Sequence, residues 1–186
     1  MARKVSGGLS TQDITFAAAG IALMAVSAWV TVPLGPVPFT LQTMALAFLV
    51  LALNPRQQLV AVLCYLLIGA VGLPVFSGMR GGVGVLFGPT GGFLLGFALA
   101  AVIAYVVRRN VGACLGRDVA IVVASIACSY GVGWAWLTVS ASMSPAAAFM
   151  AACAPFVMPD ALKCAAGVVL ASAVRRAIPS LSEARR

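Results

Sequence analysis

No charged side chain stands between Asp13 and Arg56, and none between Asp118 and Asp160. Stretches of that length are the feature that most limits what this chain can become, because a surface facing water needs ionic and polar groups at close intervals. Of 186 residues, 62% are apolar and only 9% charged, where an ordinary soluble domain is about half apolar and about a quarter charged. Twelve cationic and four anionic side chains cover a chain of this size only if lipid covers the rest. The composition therefore predicts an all-α integral membrane protein and excludes a secreted disulfide scaffold.

Measured against a hydrocarbon core about 30 Å thick, which takes about 20 helical residues, the apolar runs give six transmembrane segments. They span residues 14–32, 40–53, 58–75, 91–107, 119–140 and 146–174. The second is too short to cross a full-thickness bilayer unless its ends are buried in protein or the membrane thins. The sixth carries Pro155 and Pro159, which predict an interruption. The first run is longer than the apolar core of a signal peptide, about 7 to 15 residues, so it reads as a retained span. No repeat and no Ser-rich or charged linker divides the chain, and residues 1–186 read as one membrane domain.

Alternating the loops between the two sides supplies a topology. With the amino terminus inside, the cytosolic set is Arg3, Lys4, Arg56, Arg108, Arg109, Arg117, Arg175, Arg176, Arg185 and Arg186, ten of the twelve cations. The outer loops, near 33–39, 76–90 and 141–145, hold only Arg80, and Lys163 belongs to no loop. This is the positive-inside pattern, and it predicts a multi-pass protein of the cytoplasmic membrane, a prokaryotic inner membrane, with both termini cytosolic. The net charge of +8 is thereby a matter of topology and anionic lipid, and nucleic-acid binding is not expected. The five cysteines, Cys64, Cys114, Cys128, Cys153 and Cys164, form no C-x-x-C and the chain has no His, so neither a metal site nor a redox role is expected.

Four places carry polar chemistry. Asp160 and Lys163 stand in the sixth apolar run three residues apart, on one helical face; ionisable groups in a membrane segment are costly, face inward and often serve function. An ion pair that fixes helix packing and a proton relay are the other readings of the pair. Arg80 lies in an outer stretch with six glycines at positions 78 to 91, which permits a tight lid-like loop with backbone amides close to a ligand. A plain turn with a solvated arginine explains it equally well. In the first outer loop, Pro33, Pro36 and Pro38 preclude a regular helix, and Thr40, Gln42 and Thr43 follow as uncharged hydrogen-bonding groups entering the second span. They suit a binding pocket or the joining of helices. Ala18 and Ala22 form a strip of small side chains on the first span, fit either for internal packing or for docking a second membrane protein. No nucleophile–base set, carboxylate pair, metal cluster or nucleotide site is visible, so binding and transport are expected rather than catalysis.

The strings GPVPFTLQT at 35–43, PVFSG at 74–78, GPTGGF at 88–93 and PDALK at 159–163, at this length and span count, resemble the BioY family, the biotin-specific membrane components of energy-coupling factor vitamin transporters. The resemblance covers nearly the whole chain. It implies a six-helix substrate-capture subunit, with a Gly-rich outer loop between its third and fourth helices, that binds biotin from the outer side and needs no cofactor. In the family, uptake is normally energised by a membrane coupling protein and two ATP-binding subunits, and some members are thought to work without them. The family's docking strip for the coupling protein falls on Ala18 and Ala22.

Biotin carries a ureido ring with two N–H donors and one carbonyl, an apolar thioether ring and a valerate carboxylate. Against it, Asp160 is expected to accept from a ureido N–H, and Lys163 to donate to the ureido carbonyl or to neutralise Asp160. Gln42 and Thr40 offer neutral hydrogen bonds, as do Thr90 and the backbone amides of Gly88, Gly91 and Gly92. Arg80 is the candidate partner of the carboxylate, and Phe76, Phe87, Phe93 and Tyr105 are candidates for packing on the apolar rings. The rival readings are an autonomous secondary transporter of a small organic anion and a small membrane scaffold.

Overall fold

The fold was analysed in a computed structural model that describes residues 10–178. The elements are α1 (Thr11–Trp29), the hairpin strands β1 (Thr31–Val32) and β2 (Phe39–Thr40), α2 (Gln42–Ala52), α3 (Pro55–Val71), α4 (Val83–Phe87), α5 (Gly91–Asn110), α6 (Leu115–Ser140), α7 (Pro145–Ala152) and α8 (Val157–Ala177). Four of them, α1, α5, α6 and α8, are long and apolar enough to cross a membrane, while α2 and α3 are shorter apolar helices. The chain is thus a mostly helical, multi-pass membrane protein.

Local chemistry sets the helix ends. Ser10 caps α1, accepting from the Asp13 amide at 3.1 Å while the Asp13 carboxylate accepts from the Ser10 amide at 3.0 Å. Asn54 and Gln57 repeat the device at α3, with Pro55 at the first helical position. Asp13 also accepts from Asn54 Nδ2 at 3.2 Å and Gln57 Nε2 at 2.9 Å, which fastens the starts of α1 and α3 together. Gly72 ends α3 with φ +119°, a left-handed conformation that glycine adopts without strain.

The expected spans shift accordingly. The third run begins three residues earlier than 58, because Asn54 and Pro55 form a helix start, and ends before 75 at Gly72. Thr40 lies in β2 rather than in the second helix, where the hairpin pairs it with Thr31. The sixth run is broken into α7 and α8. Pro155 stands in the break, and Pro159 sits in the first turn of α8, where a missing N–H costs no helical hydrogen bond. The Gly-rich stretch is not wholly loop, since α4 forms within it. Arg3, Lys4, Arg185 and Arg186 lie outside the described residues.

Helix α2 is the interior element. Eight of its eleven residues are buried, and α8, α1, α6, α3 and α5 all contact it. Helix α8 meets it with Asp160, Cys164, Gly167 and Ala171, a stripe at alternating spacings of four and three, while Met158, Leu162 and Val169 point outward. Small and polar groups inside with large apolar ones outside is the arrangement a lipid surround favours. Gly167 matters to it: a Cβ there would lie 2.7 Å from the Met44 carbonyl oxygen.

Both ends of α2 are buried. At its carboxyl end the Arg108 Nη1 donates to the carbonyls of Val50 at 2.7 Å and Leu53 at 2.6 Å, and Arg175 Nη1 donates to Leu51 at 3.3 Å. Asp118 pairs with Arg117 at 2.7 Å and Arg175 at 3.4 Å. Cationic groups thus satisfy carbonyls that the helix leaves without partners and oppose the negative end of its dipole. The opposite end of the molecule gathers the hairpin and the Gly-rich segment, joined by Trp29 Nε1 to the Pro74 carbonyl at 2.8 Å and the Gly78 amide to Thr31 Oγ1 at 3.3 Å.

Helices α5 and α6 pack most closely, through Gly92, Gly96 and Gly133. A Cβ on Gly96 would sit 2.6 Å from Ser129 Cα. Gly96→Ala is therefore expected to lower stability by about 1–3 kcal/mol through overpacking, read as a fall in the unfolding temperature of the detergent-solubilised protein. Gly112→Ala, at a position with nothing within 4 Å of the added carbon, is expected to change it by less than about 0.5 kcal/mol.

Candidate substrate-binding pocket

A polar-lined cavity lies where β2, α2, α5, α6 and α8 converge, at the end away from Arg108, Arg117 and Arg175. Its atom-free space, open mouth included, amounts to about 600 Å³. Thr40, Gln42, Thr43, Ser129, Tyr130, Asp160 and Lys163 supply its polar lining, and Phe76, Val85, Phe93, Leu94, Phe97 and Phe156 its apolar lining.

Asp160 is 4% exposed and stands in the first turn of α8, where the helix dipole favours negative charge. Its Oδ1 accepts from Thr43 Oγ1 at 3.1 Å, and its Oδ2 accepts from the Tyr130 hydroxyl at 2.7 Å. Lys163, one turn on, forms an ion pair with Oδ1. The ammonium also donates to the Thr40 carbonyl at 2.6 Å and lies 4.0 Å from the centre of the Phe39 ring. The pair is mutually neutralised and hydrogen-bonded on both sides, which is the condition for burying charge at tolerable cost. It ties α8 to the hairpin, to α2 and to α6 at once.

Gln42, 5% exposed, donates from Nε2 to the Tyr65 hydroxyl at 2.8 Å, which donates onward to the Val75 carbonyl at 3.0 Å. Its Oε1 accepts from Thr40 Oγ1 at 3.2 Å. The amide is thus held from behind while its second N–H remains for the pocket. Phe76 packs edge-on against Tyr65 with ring centroids 5.5 Å apart.

Of the residues singled out in the sequence, the fold brings Thr40, Gln42, Phe76, Thr90, Phe93, Asp160 and Lys163 into one lining. The others lie outside it. Arg80 is exposed and donates from Nε to the Ser77 carbonyl at 3.1 Å, closing a local turn. Phe87 is 69% exposed on α4. Tyr105 lies toward the arginine end of α5, where its hydroxyl accepts from Arg109 at 2.6 Å. Gly91 and Gly92 admit close packing rather than a ligand: added Cβ atoms would lie 1.7 Å from the Leu86 carbonyl oxygen and 2.2 Å from Trp136 Cβ. The Gly88 carbonyl accepts from Trp136 Nε1 at 2.9 Å. Ala18 and Ala22 are exposed on the outer face of α1, so they do not serve internal packing.

Thr43, named with Thr40 and Gln42 at the start of the second span, lines the pocket too, and the lining adds Ser77, Phe97, Ser129, Tyr130 and Phe156 to the residues expected from sequence. Thr43 and Ser77 stand inside the quoted GPVPFTLQT and PVFSG strings and carried that much signal. Tyr130, Ser129 and Phe97 lie in uniformly apolar stretches where nothing in the local pattern separates a pocket residue from a lipid-facing one.

Comparison with known proteins places this geometry. The model of the BioY family matches residues 1–180. The probable biotin transporter BioY of Pyrococcus horikoshii is 33% identical over 163 residues, 88% of this chain and 96% of that protein. The biotin transporter BioY of Rhizobium etli is 32% identical over 184 residues, 93% of this chain and 98% of that protein. The crystal structure of the S-component for biotin from an ECF-type ABC transporter superposes with a TM-score of 0.80 at 22% identity, covering 91% of this chain and 95% of that one.

The ion pair supplies its own test. Lys163→Met leaves the Asp160 charge buried beside two hydroxyls only and is expected to cost about 3 kcal/mol or more, whereas the double variant Asp160→Asn, Lys163→Met removes both charges and is expected to recover much of that loss. Thermal unfolding of the wild type, Asp160→Asn, Lys163→Met and the double variant in one detergent measures the coupling.

Proposed function

The chain belongs to the BioY family, and on that footing we propose that it is the membrane subunit that captures biotin for uptake, a transport component rather than an enzyme. One observation carries the reading: a buried, neutralised Asp160–Lys163 pair and the rings of Phe76, Phe93, Phe97 and Phe156 line one cavity. Biotin divides the same way, into a ureido edge of two donors and one acceptor and an apolar thioether ring. In this reading Asp160 accepts from a ureido N–H and Lys163 donates to the ureido carbonyl. Gln42 and Thr40 complete the polar side, Thr90 adds a hydroxyl at the mouth, and Phe76 and Phe93 pack on the rings.

The fold is read as six membrane crossings, α1, α2, α3, α5, α6 and the α7–α8 pair, within one membrane domain. Arg108, Arg117 and Arg175 gather at one end of the molecule, and Arg80 lies with the hairpin at the other. That separation supports a cytosolic arginine end in the cytoplasmic membrane and a pocket opening outward. A membrane coupling protein with two ATP-binding subunits is the proposed energising partner, and the exposed Ala18 and Ala22 on α1 are the proposed contact with it.

Isothermal titration of the purified chain with biotin tests the reading, with desthiobiotin and thiamine beside it. Saturable biotin binding without a thiamine signal is expected. Asp160→Asn and Lys163→Met are each expected to weaken it at least tenfold, about 1.4 kcal/mol. Unchanged affinity in both variants removes the pair from the site, and absence of binding to folded wild-type protein removes biotin as the substrate.

A further inference from the structure

Gln42 and Phe76 line the pocket from two separate parts of the chain, and one side chain that does not line it touches both. Tyr65 of α3 is fully buried, at 0% exposure. Its hydroxyl accepts from Gln42 Nε2 at 2.8 Å and donates to the Val75 carbonyl at 3.0 Å, while its ring meets the Phe76 ring edge-on with centroids 5.5 Å apart. A buried tyrosine hydroxyl needs a partner. Here it has two, one on α2 and one in the segment that carries Phe76.

The direction of these bonds decides which way round the Gln42 amide lies. A carbonyl oxygen only accepts, so the Tyr65 hydroxyl spends its one hydrogen on Val75 and offers Gln42 a lone pair alone. The amide therefore turns its nitrogen toward Tyr65 and its oxygen toward Thr40, whose Oγ1 donates to Oε1 at 3.2 Å. Reversed, the amide would set its oxygen against the Tyr65 oxygen, or take the hydroxyl hydrogen and leave the buried Val75 carbonyl without that donor. Phe76 is seated by the same helix. A Cβ on Gly69, one turn after Tyr65, would lie 2.1 Å from Phe76 Cζ, so the ring occupies a notch that only glycine leaves open.

We propose that Tyr65 is a positioning residue for the pocket: its hydroxyl fixes where Gln42 presents its free N–H and its free oxygen lone pair, and its ring seats Phe76 in the same lining. Tyr65 thus sets a donor–acceptor order that it never offers to the ligand itself. A cyclic urea carries donors and an acceptor in fixed order, so a reversed or wandering amide meets it with the wrong group. The effect on affinity rests on the biotin reading above; the orientation of the amide does not.

Biotin titration and thermal unfolding of the full chain test this on the wild type, Tyr65→Phe, Gln42→Ala and the double variant. Tyr65→Phe keeps the ring against Phe76 and removes only the hydroxyl. It is expected to weaken biotin binding about threefold to tenfold, the range of one net neutral hydrogen bond, and to add nothing in the Gln42→Ala background, because it acts through that amide. Equal weakening in both backgrounds marks a general loss of structure and overturns the positioning role, as does unchanged affinity in Tyr65→Phe. Tyr65→Leu removes the ring as well and is expected to weaken binding further, in both backgrounds, through Phe76; affinity equal to that of Tyr65→Phe overturns the part assigned to the ring. Folded wild-type protein that binds no biotin removes the biotin reading instead, and the unfolding data then decide the link alone. Stability losses from Tyr65→Phe and Gln42→Ala are expected to be less than additive, since both break one shared bond, and additive losses overturn it.

Discussion

The structure depends on burying a helix that is too short for its surroundings. Eleven residues make α2 about 16 Å long, roughly half of a hydrocarbon core about 30 Å thick. In lipid its free N–H and C=O groups would be unsatisfied at both ends, each at a cost of several kcal/mol. The fold surrounds it with other helices and supplies partners at each end. Arg108 and Arg175 bind its last carbonyls, and at its start the Gln42 backbone amide donates to Thr40 Oγ1 at 3.4 Å in the hairpin, which Lys163 holds through the Thr40 carbonyl. A helix shorter than the bilayer leaves depth above it, and that depth is where the pocket lies.

The two buried charge clusters follow from this geometry and differ in composition. At the arginine end three guanidinium groups meet Asp118 and a set of helix carbonyls, so the excess positive charge is absorbed by dipoles. At the pocket end one carboxylate meets one ammonium, with hydroxyls from Thr43 and Tyr130 taking the remaining lone pairs. The first arrangement fastens α5, α6 and α8 to the carboxyl end of α2. The second stands open to a space that a ligand can fill.

Much of the fold was legible because lipid imposes a simple rule: long uncharged runs became helices, and Pro155 marked the break between α7 and α8. The Asp160–Lys163 pair was legible for the same reason, as charge where charge is costly. The rest was hidden in contacts between positions far apart. Thr43 and Asp160 are 117 residues apart, and Lys163 and Thr40 are 123 apart; no local pattern encodes such pairs. The glycines of 88–92 illustrate the limit. In sequence, a glycine that lets a ligand approach and one that lets a helix approach look the same, and here Gly91 and Gly92 serve backbone and Trp136 packing. Arg108 and Arg175 were legible as topology signals but not as caps, since the helix end they satisfy lies more than fifty residues away from either.

The satisfied state of the pocket bears on how it can both capture and release. Asp160 already accepts from Thr43, Tyr130 and Lys163, and Lys163 already donates to Asp160 and Thr40. A ligand edge that bonds to this pair exchanges partners rather than rescuing an orphaned charge, and an exchanged hydrogen bond contributes only about 0.5–1.5 kcal/mol net. Polar contacts of that kind select shape and donor pattern more than they add affinity. In the proposed reading the larger contribution then falls to the aromatic lining of Phe76, Phe93, Phe97 and Phe156, where burial of apolar surface contributes about 25 cal/mol per Å². Because Asp160 and Lys163, the proposed ligand partners, also hold α2 and the hairpin through Thr43 and Thr40, any movement of α8 that breaks those bonds loosens the roof and the polar edge together. In the proposed reading, selectivity and release are therefore set by one hydrogen-bonded cluster.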